Sequence, residues 1–213
     1  MNEKCWYKEV CKNKKCDGCI RYSEMKYLMD NSGIPEKRQL PSSLTCETED
    51  RQAFICLAEI KADIEAFVSN GESLYITSVN TGNGKTSWAI KLLLKYFDCV
   101  WAGNGFNVRG YFVHVPTLLS RLKDFNDNHN ALRLILETVD VVVWDDIAAT
   151  KLSDYDISQL MSLIDTRISK KLSNIYTGNI ATKEGLKKTL GDRLASRIWT
   201  EDGVIELKGK DRR

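Results

Sequence analysis

Five residues constrain this chain more than any others: Gly82-Asn83-Gly84-Lys85-Thr86, set between an apolar run ending near Ser78 and a segment with helical spacing from Lys85 to Phe97. Glycines let a backbone wrap so that successive N–H groups point inward at one anion. A helix starting at the same place adds its N-terminal dipole to that attraction. The arrangement predicts a phosphate-binding loop, with Lys85 reaching the outer phosphates of a nucleotide and the Thr86 hydroxyl on Mg²⁺. The usual pattern, G-x-x-x-x-G-K-[ST], has glycine where this chain has Val79. A β-branched residue resists positive φ, so the start of this loop must differ from the common one.

A triphosphate site needs a second half, an apolar strand ending in acid. Val141-Val142-Val143-Trp144-Asp145-Asp146 supplies it. Asp145 is the candidate for the Mg²⁺ shell and Asp146 for orienting the attacking water. Around these motifs strands and helices alternate. Strand patterns cover Ser73 to Val79, Tyr111 to Val115, Val139 to Trp144, Asn174 to Thr177 and Val204 to Leu207. Helical patterns cover Glu49 to Val68, Lys85 to Phe97, a stretch opened by Pro116, Ala131 to Glu137, Ser153 to Lys170 with Ser153 as N-cap, Lys183 to Leu190, and Asp192 to Trp199. Such alternation predicts an α/β fold with a parallel sheet between helical layers.

The 31 Lys and Arg against 29 Asp and Glu leave a net charge of +2, which excludes a protein that coats DNA by bulk charge. No apolar run reaches the roughly 18–20 residues of a membrane span. The first residues, Met1-Asn2-Glu3-Lys4-Cys5-Trp6, offer no apolar signal core, and a cytoplasmic protein is expected. Cysteines in that compartment stay reduced, so clustering points to metal. Four of the seven lie in the first nineteen residues: Cys5, Cys11, Cys16 and Cys19. Four thiolates suffice for tetrahedral Zn²⁺, and Cys16-Asp17-Gly18-Cys19 has the spacing of a zinc knuckle. An iron–sulfur or redox role fits the same ligand type. His114 and His129 read as structural or surface residues.

From about Ile34 to Arg213 the chain resembles AAA+ ATPases of the DnaC/DnaI type, the loaders of replicative DNA helicases. The stretch Asp145-Asp146-Ile147-Ala148-Ala149-Thr150-Lys151-Leu152-Ser153 is similar to the family's segment after its second nucleotide motif. Tyr176-Thr177-Gly178-Asn179 resembles its polar-tipped strand, and Gly191-Asp192-Arg193-Leu194-Ala195-Ser196-Arg197-Ile198 its late arginine motif. The resemblance implies an AAA+ P-loop core without a full helical lid over 46–213, and a zinc-binding, helicase-interacting module over 1–45. It implies ATP and Mg²⁺ held by Asn80, Thr81, Gly82, Asn83, Gly84, Lys85, Thr86 and Asp145. Asp146, Asn179 as first sensor and Arg197 as arginine finger of a neighbouring subunit would carry the chemistry. Arg193 and Arg167 are weaker interface candidates.

The function implied is ATP-dependent loading of a replicative helicase onto single-stranded DNA, with the AAA+ domains associating side by side. Arg121, Lys123 and Arg133, and the terminal Lys208, Lys210, Arg212 and Arg213, are candidate phosphate contacts for the strand. Two rivals stand beside this reading. One is an IstB-like transposition helper, which shares the core. The other is an adaptor that binds ATP without hydrolysing it.

Overall fold

A computed structural model describes residues 5–8, 11–12, 16, 18–40, 43–100, 107–123, 128–149 and 151–210. Lys4, Lys14, Lys15, Asp17, the turn beginning at Asp124, Thr150, Arg212 and Arg213 lie outside the described residues, as does the side chain of His129.

Five strands form one sheet: β1 (Ser73–Thr77), β2 (Gly110–His114), β3 (Val141–Asp145), β4 (Ser173–Gly178) and β5 (Val204–Glu206). The order is β2-β3-β4-β1-β5 and every pairing is parallel. Parallel neighbours require crossovers, and helices supply them. These are α4 (Lys85–Val100), α5 (Val115–Lys123), α6 (Asn128–Thr138), α7 (Asp154–Ser169) and α8 (Lys183–Ile198), preceded by α1 (Ile20–Asp30), α2 (Arg51–Ala62) and α3 (Ile64–Ser69).

Because side chains alternate along a strand, the central strands feed two cores. Leu74, Ile76, Val141, Val143 and Ile175 face one layer, with Leu92, Leu93, Tyr96 and Phe97 of α4. Tyr75, Val142, Trp144 and Tyr176 face the other, with Leu160, Leu163 and Ile164 of α7 and Leu186 and Leu194 of α8. The doubly covered parallel sheet is the expected architecture.

Several boundaries differ from expectation for identifiable reasons. Ser78 and Val79 leave the sheet to begin the loop, so β1 stops at Thr77. The helix expected from Glu49 to Val68 is broken at Asp63, whose φ of −115° and ψ of 38° separate α2 from α3. Gly191, at φ 80° and ψ 159°, kinks α8 where two helices were expected to meet. Ser153 caps α7 as expected: it accepts from the Asp156 N–H, and Asp156 accepts in return from the Ser153 N–H, a reciprocal box.

The sequence patterns did not show α1. Its Met25, Leu28 and Met29 are buried in the same core as α4, as is Tyr7. Arg21 clamps this segment down, pairing with Asp98 of α4 at 3.1 Å while its guanidinium lies 3.8 Å from the centre of the Tyr7 ring. Burial pushes the Tyr7 hydroxyl up to about 12, against the opposing pull of Arg21. Beyond α1, the Ser32 carbonyl accepts from the Phe112 N–H at 2.6 Å on the outer edge of β2. Gly33 has φ +70°, and a Cβ there would collide with the Phe112 carbonyl, so only glycine lets the chain lie this close. Tyr7, Met25, Leu28 and Met29 thus tie the N-terminal segment to the core, which answers how so short a piece is held.

Candidate nucleotide site

The site forms at the carboxyl ends of β1, β3 and β4, where the loop from Ser78 to Gly84 joins β1 to α4. Gly82 and Gly84 take positive φ, 66° and 104°, and make the left-handed turns that curl the backbone. Val79 does not take positive φ and is 69% exposed. The departure from the usual glycine is therefore absorbed at the outside of the loop.

The loop is braced from behind by the last part of the chain. The Asn83 amide donates to the Ser78 hydroxyl and to the Leu207 carbonyl. The Asn80 amide donates to the Lys208 and Gly209 carbonyls, each at 3.1 Å. The N–H groups of Lys208 and Gly209 are in turn held by the buried carboxylate of Asp50. Asn80 was expected to face the nucleotide. Its side chain turns instead toward this C-terminal strap, and its carbonyl accepts from Lys85 Nζ at 2.8 Å.

Opposite the loop, Asp145 is 5% exposed. Its Oδ1 accepts from the Thr86 hydroxyl at 2.8 Å and the Thr177 hydroxyl at 2.7 Å. Burial pushes the Asp145 carboxyl up, and the two hydroxyls oppose that rise by stabilising the anion. Asp146 follows at φ 57°, a left-handed position that a non-glycine residue holds only when its surroundings insist. Its N–H is fixed by the Thr177 hydroxyl at 3.0 Å.

Between these walls lies a cavity of about 290 Å³ lined by Thr81 to Ser87, Asp146, Asn179 and Arg38. Asn179 Oδ1 is buried there without a hydrogen-bond partner. Buried polar atoms are normally satisfied, so this oxygen marks a place for a polar ligand or water. The residues fit a nucleotide: a curled glycine loop, a buried lysine, a helix N-terminus and an orphaned amide oxygen face one space. They fit Mg²⁺ as well, since a hydroxyl and a carboxylate already converge.

The expected residues Thr81, Gly82, Asn83, Gly84, Lys85, Thr86, Asp146 and Asn179 are brought together, with Asp145 directly behind them. Arg197 is not among them. It sits exposed on α8, 2.8 Å from Asp165 of α7. Sequence reasoning missed three participants. Ser87 and Arg38 line the cavity, and no local pattern singles out Arg38. His114, read as structural, ends β2 in register with Asp145, and its Nε2 is 3.7 Å from Asp146 Oδ2. Adjacency of β2 and β3 was the signal that would have found it.

Arg167, a candidate for an interface, is fully buried. Its five N–H groups donate to Asn174 Oδ1 and to the carbonyls of Leu136, Val139, Asp140 and Ser173. Burial pushes its guanidinium down to about 10. Its role is structural. Lys123 and Arg133, candidates for DNA, are partly exposed and paired on the surface: Lys123 with Asp156, and Arg133 with Glu137 and Ser162.

Cys5, Cys11, Cys16 and Cys19 are half-buried. The knuckle turn is formed, with the Cys19 N–H on the Cys16 carbonyl at 3.2 Å and Gly18 at φ 71°. Among the described residues, however, His114, Asp145 and Asp146 are the group whose ligating atoms lie within 4.8 Å of one another. No three of the four thiols meet that spacing.

No model of a known protein family matches the chain, and no curated protein matches it in sequence. Solved structures do match its fold. The DnaC helicase loader superposes with a TM-score of 0.64 at 21% identity, over 78% of this chain and 94% of that one. DnaI gives 0.65 at 20% identity, over 84% and 94%. The replication initiator DnaA, bound to AMPPCP and single-stranded DNA, gives 0.58 at 20% identity over 88% of this chain and 52% of its own. The likeness is one of fold, a parallel five-stranded sheet between helical layers with a glycine loop after its first strand. Among the described residues no helix is long and apolar enough to cross a membrane.

Proposed function

We propose that this protein is an ATP-hydrolysing AAA+ loader that places a replicative DNA helicase on single-stranded DNA. The observation that carries the reading is the joined pair of walls: Thr86 of the glycine loop and Thr177 of β4 both bonded to Asp145, beside a cavity holding an unpartnered Asn179 oxygen. Fold likeness to DnaC and DnaI, spanning 94% of each of those chains, supports the loader role over other uses of the core.

In this reading the loop N–H groups and Lys85 bind the phosphates, and Thr86 with Asp145 holds Mg²⁺. ATP with Mg²⁺ supplies a phosphoryl group whose transfer to water releases energy for remodelling an assembly. Asp146 orients the water and takes up its proton, and Asn179 fixes the water's position. In the same reading Arg197, which is exposed and outside its own cavity, serves the site of a neighbouring copy, which makes turnover depend on assembly. The zinc expected on the four cysteines is supported by the knuckle turn alone and takes no part in these steps. The protein acts in the cytoplasm, where a replicative helicase and its DNA are found.

The test is copurification with candidate replicative helicases, with and without ATP, together with turnover measurements. A loader retains the helicase and associates with single strands in an ATP-dependent way. Arg197→Ala lowers turnover by about 10³-fold with ATP binding intact. Failure to bind any replicative helicase or single strand ends the loader reading. Assembly on duplex DNA with a transposase assigns the IstB-like role. Turnover lost in Lys85→Ala but kept in Arg197→Ala removes the shared site, and no turnover under any condition leaves an ATP-binding adaptor.

A further inference from the structure

A second cavity, larger than the nucleotide site, lies beside it. A groove of about 480 Å³ runs between the N-terminal turn, α1, the end of α2 and the outward face of α4. Its floor is apolar, made by Met25, Met29, Ile90 and Leu94. Its rim carries five cations, Lys37, Arg38, Lys61, Lys91 and Lys95, against one carboxylate, Asp98. That carboxylate is engaged by Arg21 and Lys95. Burial, and the nearness of Lys61, push the Lys91 ammonium down, so like charges are crowded at the lip.

We propose that this groove receives an acidic amphipathic helix of the partner protein, apolar anchors on the methionine floor and carboxylates on the lysine rim. The identification of that partner as the helicase rests on the reading above; the docking chemistry does not. Charge complementarity sets the sign of the occupant. The floor sets its kind. Methionines adapt to varied apolar anchors, and helices dock in such grooves through residues at i, i+3, i+4 and i+7. A single strand of DNA would need open aromatic faces for its bases. Here the aromatic groups are engaged: Trp6 packs on Tyr22 and donates to the Gln39 carbonyl, and the Tyr7 ring carries Arg21. Arg38 and Ser87 line both this groove and the phosphate cavity, so the occupant sits one residue from Thr86.

The experiment uses the full chain and three labelled probes: an 18-residue model helix with leucines on one face and flanking glutamates, the same helix with lysines for glutamates, and an oligothymidine of similar length. The glutamate helix binds at least tenfold more tightly than the lysine helix and shifts the methyl resonances of Met25 and Met29. The double variant Lys61→Glu, Lys91→Glu loses at least tenfold in that affinity while ATP binding is unchanged. In helicase copurification the same variant fails where the wild type succeeds. Equal affinity for the two helices, unaltered binding by the variant, methionine methyls that do not move, or displacement of the helix by oligothymidine would each overturn the proposal. Peptide binding with no helicase retained by the wild type keeps the groove and removes the loader reading instead.

Discussion

The two ends of strands β3 and β4 hold polar clusters of opposite character. At their amino ends, Arg167 spends all five N–H groups on oxygens of the surrounding backbone and of Asn174, which also accepts from Trp144 Nε1 at 3.0 Å. At their carboxyl ends, Asp146 is held at positive φ, Asp145 is buried with its pKa raised, and Asn179 Oδ1 has no partner. The first cluster is closed and rigid. The second keeps unmet hydrogen-bonding capacity and local strain, which a structure retains where a ligand completes it. Burial alone does not separate the two; satisfaction does.

The largest effect expected is at the open end. Asp146→Asn should cut turnover by about 10³-fold, roughly 4 kcal/mol in the barrier, and leave the unfolding midpoint close to wild type. A large loss of stability in that variant would place Asp146 with the closed cluster and break the contrast. Next comes Arg167→Met, expected to cost about 3 kcal/mol of stability by stripping donors from buried carbonyls. Denaturant melts measure it, and ATP affinity measured well below the melting midpoint should be unchanged. Asn179→Ala is expected to slow turnover by about 10²-fold, near 3 kcal/mol, with no loss of stability, because the native oxygen bonds nothing in the protein. Asn174→Ala, at the second residue of β4, should do the reverse.

How far the sequence displayed this contrast depends on how local each signal is. The glycine loop, the apolar strand with Asp145 and Asp146, and the break at Gly191 are written in consecutive residues, and all three stand where expected. Arg167 is a lone cation on a helix, a type of residue that is almost always exposed. Only the approach of Leu136, Val139 and Ser173 from other elements makes it internal. His114 became visible as a neighbour of Asp146 only through the pairing of β2 with β3, and α1 through contact with a helix some sixty residues away.

The smallest effect probes α7, which links the two ends, running from the Ser153 cap to Arg167. Burial disfavours the Asp156 anion, but hydrogen bonds from the Ser153 hydroxyl and N–H and from Lys123 outweigh it, holding the carboxyl below its usual range. A carboxyl depressed in the folded state contributes stability above its unfolded pKa of about 3.9 and loses that contribution as pH falls through the lower native value. Acid titration of stability should therefore show a decline below about pH 4 that Asp156→Asn flattens. At neutral pH, Ser153→Ala should cost about 1 kcal/mol, the worth of an N-cap. If α7 is a rigid strut, that loss leaves turnover unaltered. A fall in turnover with the cap removed would mean that the closed end and the open end communicate through this helix, and that α7 belongs to the working part of the site.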